Sequence, residues 1–334
     1  MYYRANIMKV LFIGGTGNIS TSCSLLAIKR GIELYLLNRG LSGEELPRVK
    51  QLTADIRQPQ EMTKILANHT FDVVVDWIAY TQNDIERDYT LFKDKTRQFI
   101  FISSASAYQK PLSHPYITES TPLANPFWEY SRNKIACEEF LMQKYRENGF
   151  PITIIRPSHT YRHTIPISVG DWRGYTIIDR MKRGKKVIVH GDGASLWTLT
   201  HSDDFAKGFV GLLGNIHSIG HAFHITSDEI LTWNQIYEII ADTVGAKANI
   251  VHIPSEIIAK YDKEIGDGLL GDKAYSVIFD NTKIKTFVPD FQAVIPFSEG
   301  FKGVIDWFEA DERRKQINSK ENEFLDKLIQ DYTK

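Results

Sequence analysis

Tyr130 and Lys134 are four residues apart, a spacing that sets a phenol and an ammonium one turn apart on one helix face. A phenol ordinarily titrates at about 10, so a tyrosine working as a base near neutral pH needs a neighbouring positive charge. Lys134 supplies one. Upstream, Ser103-Ser104-Ala105-Ser106 offers hydroxyls suited to an oxygen that alternates between alcohol and carbonyl. Near the start, Gly14-Gly15-Thr16-Gly17-Asn18-Ile19-Ser20 follows a β-rich run and opens a helical one. Glycines at such a junction permit a tight turn and let backbone amides approach a pyrophosphate at the helix N-terminus. The chemistry these residue types suit is hydride transfer to a bound dinucleotide, with Tyr130 moving the proton.

The elements that must position these groups alternate. Strands are expected over residues 9–13, 32–37, 49–53, 71–78, 98–103 and 152–156, and helices over 18–30, 59–67, 84–93 and 127–145. The run 71–78 is almost continuously apolar, as for a strand covered on both faces. This rhythm predicts an α/β fold: a doubly wound parallel Rossmann sheet over residues 1–165, with a smaller C-terminal α+β substrate-binding domain over 166–334. A return segment near 200–225 is expected to pack back on the first domain. In the second half, helices are read over 176–183, 203–213 and 232–244 and a strand over 187–190. The mixed-charge run 260–273 reads as a solvated loop.

The chain has 334 residues, with 40 basic and 41 acidic side chains, a balance that gives no long-range pull toward nucleic acid or an anionic membrane. No apolar run approaches the roughly 20 residues that span a bilayer, and residues 1–7 lack the apolar stretch of a signal peptide. The two cysteines, Cys23 and Cys137, fall in helical segments, which fits a reducing cytoplasm better than a disulfide scaffold. His159, His163 and His201 are not at metal-ligand spacing, so no metal is expected. His201-Ser202-Asp203-Asp204 reads as an acid-rich helix N-terminus rather than a triad.

At the end of the second strand, Asn38 stands where a carboxylate would meet the adenosine ribose of NAD. Without that charge a 2′-phosphate is not repelled, and Arg39 can pair with it, so the balance tips toward NADP over NAD. Asp55-Ile56, after the third strand, suits an adenine pocket.

Together these residues resemble the extended short-chain dehydrogenase/reductase family, in its epimerase/dehydratase branch. The resemblance rests on Gly14, Gly17, the serine cluster, Tyr130 and Lys134. It is extended by Arg156-Pro157 with Tyr161, by Gly191-Asp192-Gly193 and by His201-Ser202-Asp203-Asp204, which cover most of the chain in the family's order. It implies an NAD(P)-dependent oxidoreductase or epimerase acting on a secondary alcohol or ketone of a sugar or nucleotide sugar. Ser104, Tyr130 and Lys134 would be its catalytic residues. The cofactor would be held by Gly14, Gly15, Thr16, Gly17, Asn18, Ile19, Asn38, Arg39, Asp55, Ile56, Ala79 and Pro157, together with Tyr130 and Lys134. Ser106, His159 and Trp197 would meet the substrate, and the helix bearing Tyr130 often forms a homodimer interface in this family.

Four departures bear on these expectations. Ser20 replaces the turn's third glycine, and Trp77-Ile78 implies a bulkier wall beside the cofactor. Ala105 and Ser106 stand where sugar-nucleotide dehydratases carry an Asp-Glu pair, which disfavours 4,6-dehydration. Trp197 stands where many epimerases carry a diphosphate-binding arginine, leaving Arg162, Arg173 or Arg180 to compensate. Two other readings stay open. The segment 36–40 resembles the branch containing chloroplast stem-loop-binding proteins, which suggests non-catalytic nucleotide or RNA binding; Trp197 would also suit reduction of an apolar carbonyl.

Overall fold

The computed structural model describes residues 7–40 and 44–334. Its centre is a sheet of short β-branched and aromatic runs: β1 (Lys9–Ile13), β2 (Glu33–Asn38), β3 (Lys50–Thr53), β4 (Phe71–Asp76), β5 (Thr96–Ile102), and the later strands Ile152–Pro157 and Ala222–Ile225. All seven are parallel, in the order Ala222–Ile225, Ile152–Pro157, β5, β4, β1, β2, β3. The chain runs outward from β1 through β2 to β3, then crosses to the other side with β4. The loops that leave β1 and β4 therefore diverge and open a crevice at the strands' C-terminal ends.

Side-chain alternation along β1 feeds both faces. Val10 and Phe12 join a core with Phe205 and Phe209 of the helix Ser202–Leu212. Leu11 and Ile13 join another with Phe99, Phe101 and Cys137. Helix α1 (Ser20–Lys29) buries mostly small residues, Ser20 through Ser24 and Ala27, so it lies close against that same helix. The Ser22 and Ser202 hydroxyls meet at 2.8 Å. The chain thus returns after Pro157 to cover the first sheet and add the strand Ala222–Ile225. A third core gathers Trp197, Trp233, Tyr237, Ile177, Phe301 and Leu325 from the second half.

Helices α2 (Pro59–Ile65), α3 (Gln82–Phe92) and α4 (Glu129–Asn148) complete the first half. Helix α3 opens with a capping box in which Asp84 accepts from the amides of Tyr80 and Thr81. Helix α4 is started by Asn125, whose side-chain oxygen accepts from the amides of Phe127 and Trp128, and it ends at Gly149 in the left-handed conformation.

The run 260–273 corrects the expectation of a solvated loop. Asp262 caps a helix, Lys263–Gly268, that continues into a π-helical turn, Leu269–Lys273. Lys263 and Glu264 are exposed while Gly266, Gly268, Leu269 and Gly271 are buried. At Gly271 the backbone lies so close to the start of α4 that a Cβ would sit 2.7 Å from that of Trp128. Counting charges misses a helix whose inward face is largely glycine. Among the described residues no helix is long and apolar enough to cross a membrane, and Cys23 and Cys137 are buried and unpaired.

Candidate active site

The crevice above β1 and β4 is a groove of about 410 Å³ lined by Gly14, Thr16, Asn38, Arg39, Asp55 and Ile56 on one side and by Ile78, Tyr80 and Arg87 on the other. Gly14 and Gly15 have φ of +95° and +106°, and a Cβ on Gly15 would meet the Leu36 side chain at 2.6 Å, so both positions demand glycine. Ser20 fits the turn actively: its hydroxyl accepts from the Gly17 amide at 2.8 Å. These features suit a pyrophosphate at the N-terminus of α1. Asn18 donates to the carbonyl of Thr160, tying the turn to the segment after Pro157, while Ile19 packs into the core and Pro157 is buried. Asn38 accepts through its side-chain oxygen from the Gly40 amide and from Gln51.

The expected bulky wall takes a different form. Trp77 turns inward against Phe12 and Phe209, leaving Ile78 and Tyr80 at the groove. The loop is held from below by Asp76, which accepts from the amides of Ile78 and Ala79 at 2.6 and 2.7 Å. The Ala79 carbonyl in turn accepts from Lys134 at 2.7 Å, and the Ile102 carbonyl at 2.8 Å. Lys134 is therefore aimed by the ends of β4 and β5. Its two partners are uncharged carbonyls, and burial lowers its pKa to about 8.

Tyr80 joins the groove to the tyrosine–lysine pair. Its ring centroid lies 6.3 Å from that of Tyr130 and 4.8 Å from the Lys134 ammonium. Burial pushes the Tyr130 phenol up to about 12, against a hydrogen bond from Ser104 that lowers it. The serines form a relay of hydroxyls: Ser104 meets Ser106 at 2.9 Å, and Ser131 of α4 donates to Ser106 at 2.8 Å. Ser104 is half-buried at the surface of the site, whereas Ser106 lies behind it.

The same layering recurs at His159. His159 is half-buried, and behind it Trp197, only 2% exposed, donates its indole N–H to His159 Nδ1 at 3.3 Å and packs on Trp233. Trp197 offers no free face to a sugar. Arg180 is buried against Asp326 and Asn322, Arg162 pairs with Glu44, and Arg173 stacks on the partly exposed Trp172, so their guanidiniums are engaged elsewhere. Among the described residues, no group of three or more His, Cys, Asp or Glu side chains is placed to hold a metal ion.

Tyr80, Asp76 and the turn Leu269–Lys273 are the parts that sequence reading missed. The first had a signal, since it directly follows the strand-end loop that must border any cofactor. The last had none.

Comparison with known proteins agrees with this architecture. The model of the NAD dependent epimerase/dehydratase family matches residues 10–226, well over half of the chain. The chain is similar to 2'-dehydrokanamycin reductase of Streptomyces kanamyceticus, 24% identical over 85% of this chain and 80% of that protein. It is also similar to the chloroplast stem-loop binding protein of 41 kDa b of Arabidopsis thaliana, 26% identical over 73% of this chain and 65% of that one. Among solved structures, the UDP-glucuronic acid 4-epimerase of Bacillus cereus in complex with NAD superposes with a TM-score of 0.70 at 19% identity, covering 92% of this chain and 100% of its own. That last likeness is one of fold.

Proposed function

Because this chain belongs to the NAD-dependent epimerase/dehydratase family, we propose that it is an NAD(P)-dependent oxidoreductase or epimerase acting on a secondary alcohol or ketone of a sugar or nucleotide sugar. The observation that carries this reading is the junction at Tyr80, where the groove bordered by Gly14 and Arg39 ends against Tyr130 and Lys134. A bound nicotinamide supplies the hydride acceptor and donor. Ser104 hydrogen-bonds the substrate oxygen, and Tyr130 exchanges the proton with it. Lys134, hydrogen-bonded only to carbonyls, carries a positive charge beside Tyr130 at neutral pH and there favours the phenolate.

Because the phenol sits high, it is protonated at neutral pH. Carbonyl reduction is therefore expected to hold steady through neutral pH, and alcohol oxidation to rise as the pH becomes alkaline. Stopped assays in the two directions check this. An epimerase returns the hydride to the opposite face of the carbon, with no net change of cofactor; a dehydrogenase releases reduced cofactor.

We assign NADP ahead of NAD. No carboxylate stands at Asn38, whose side-chain oxygen is already engaged, and Arg39 and Arg57 line the same end of the groove. Releasing the nucleotide from purified protein and weighing it by mass spectrometry tests the assignment. A panel of sugars and nucleotide sugars, with Tyr130→Phe as control, tests the chemistry. A Phe variant as fast as wild type would sink the proposal.

A further inference from the structure

Beside Trp128, which packs on Tyr130, the turn Leu269–Lys273 presents a cation held by its backbone. The Lys273 carbonyl accepts from His190 Nε2 at 2.9 Å and from the Trp233 indole at 3.2 Å, which pins the turn to the second-half core. Asn125, which starts α4, donates to the Gly271 carbonyl at 2.7 Å and to that of Ser106 at 2.9 Å, so the turn and the serine relay share one anchor. The Lys273 ammonium lies 5.8 Å from the centre of the Trp128 ring, and Trp128 packs against Tyr130 with ring centroids 4.9 Å apart.

Lys273 has no carboxylate within ion-pair distance among the described residues. The adjacent Asp272 is matched instead by the buried Lys110 at 3.5 Å. Burial lowers the pKa of Lys273, and its charge adds to burial in holding His159 neutral, near a pKa of about 3. An indole N–H only donates, so the bond from Trp197 fixes His159 Nδ1 as the acceptor and leaves the ring's proton on Nε2. The two side chains thus offer donors and no acceptor, and neither the Lys273 ammonium nor His159 Nε2 has a hydrogen-bond partner among the described residues.

We propose that Lys273 and His159 form a binding site for an oxyanion, a carboxylate or phosphoryl group, carried by the substrate beside Trp128 and Tyr130. The proposal rests on the sugar chemistry assigned to Tyr130 and names the substrate class that chemistry serves. The hydroxyls of a neutral sugar could accept from both groups but would leave the ammonium's charge unmatched; an oxyanion accepts from both and supplies the counter-charge.

The test is calorimetric binding to the NADP-loaded Tyr130→Phe protein, in which turnover is blocked, with glucose, glucuronate and glucose 6-phosphate as probes. One or both anionic sugars should bind about tenfold or more tightly than glucose, the range expected for hydrogen bonds to a charged group. Preference for glucuronate identifies a carboxylate site, and preference for glucose 6-phosphate a phosphoryl site. Lys273→Met should erase the preference, Lys273→Arg should retain most of it, and added salt should weaken it in wild type. Melting curves verify that both variants are folded. Equal binding of all three sugars, binding of none, or a preference that survives Lys273→Met overturns the proposal. None of those results touches the role of Tyr130, which the turnover assay decides separately.

Discussion

The dinucleotide groove and the wall that faces Tyr130 are built differently. The groove is made largely by backbone: two glycines at positive φ, the ends of β1 to β4, and a loop whose amides are collected by Asp76. The wall is made by side chains that converge from Ser104, Asn125, His159, Trp197, Trp233 and Lys273, each supported by another behind it. A backbone site needs few residue types and tolerates drift in the rest. A side-chain site changes its ligand whenever one supporting contact changes. One fold can therefore keep its cofactor while its substrate varies.

If the two regions are separable, the largest effect comes from Tyr130→Phe. Loss of the hydroxyl proposed to transfer the proton is expected to lower kcat by about 10²–10⁴-fold while dinucleotide affinity stays within about tenfold, because the phenol makes at most a single hydrogen bond there. Steady-state kinetics and dinucleotide titration read the two quantities. An equal fall in both would join the regions into one unit.

Within the groove, the glycines are expected to differ. Gly15→Ala places a Cβ at φ +106° and 2.6 Å from the buried Leu36, which should cost about 1–3 kcal/mol of stability and weaken dinucleotide binding. Gly17→Ala meets nothing closer than the Ser20 hydroxyl at 3.4 Å, at a φ outside the left-handed region, and should be nearly neutral. Urea unfolding of both variants checks the contrast. Next in size, Asn38→Asp restores a carboxylate at the ribose and should shift the ratio of NADP to NAD affinity roughly tenfold toward NAD. An unchanged ratio would mean that Arg39 and Arg57 act without regard to residue 38.

The difference between the regions also explains what was legible in the sequence. The sheet was readable because β1, β4 and β5 are short apolar runs whose pattern reports their own burial, and Gly14 to Gly17 sits where a strand meets a helix. Tyr130 and Lys134 were readable because four-residue spacing is local. The support behind them was not: Ser106 and Trp197 carry the right chemistry, but only the three-dimensional arrangement puts each behind another residue. The segment 263–273 was misread because the residues it buries are mostly glycines, which carry no hydropathy signal, while its charges dominate the composition. Its partner Trp128 lies more than a hundred residues away in sequence.

The smallest expected effect tests the joint between the two regions. Asp76, which holds the loop of Ile78 and Ala79 and through it Lys134, lies beside Asp88 of α3. Both are fully buried, and each leaves its Oδ2 without a hydrogen-bond partner. Burial first, and then the charge of Asp76, raise the Asp88 pKa well above its ordinary value, and Arg87 offsets this only in part. An unfolded aspartate ionises at about 3.9, whereas Asp88 in the fold retains its proton to higher pH. Between those two values the unfolded chain gives up a proton that the folded chain keeps, so stability falls as pH rises from about 4 until Asp88 itself ionises. Asp88→Asn cannot titrate, and its amide can donate permanently to the free oxygen of Asp76. Relative to wild type, the variant should therefore gain about 1 kcal/mol between pH 4 and pH 7, read from urea unfolding at a series of pH values. Parallel stability curves would mean that the two carboxyls share no proton and that the loop beneath Lys134 is held by Asp76 alone.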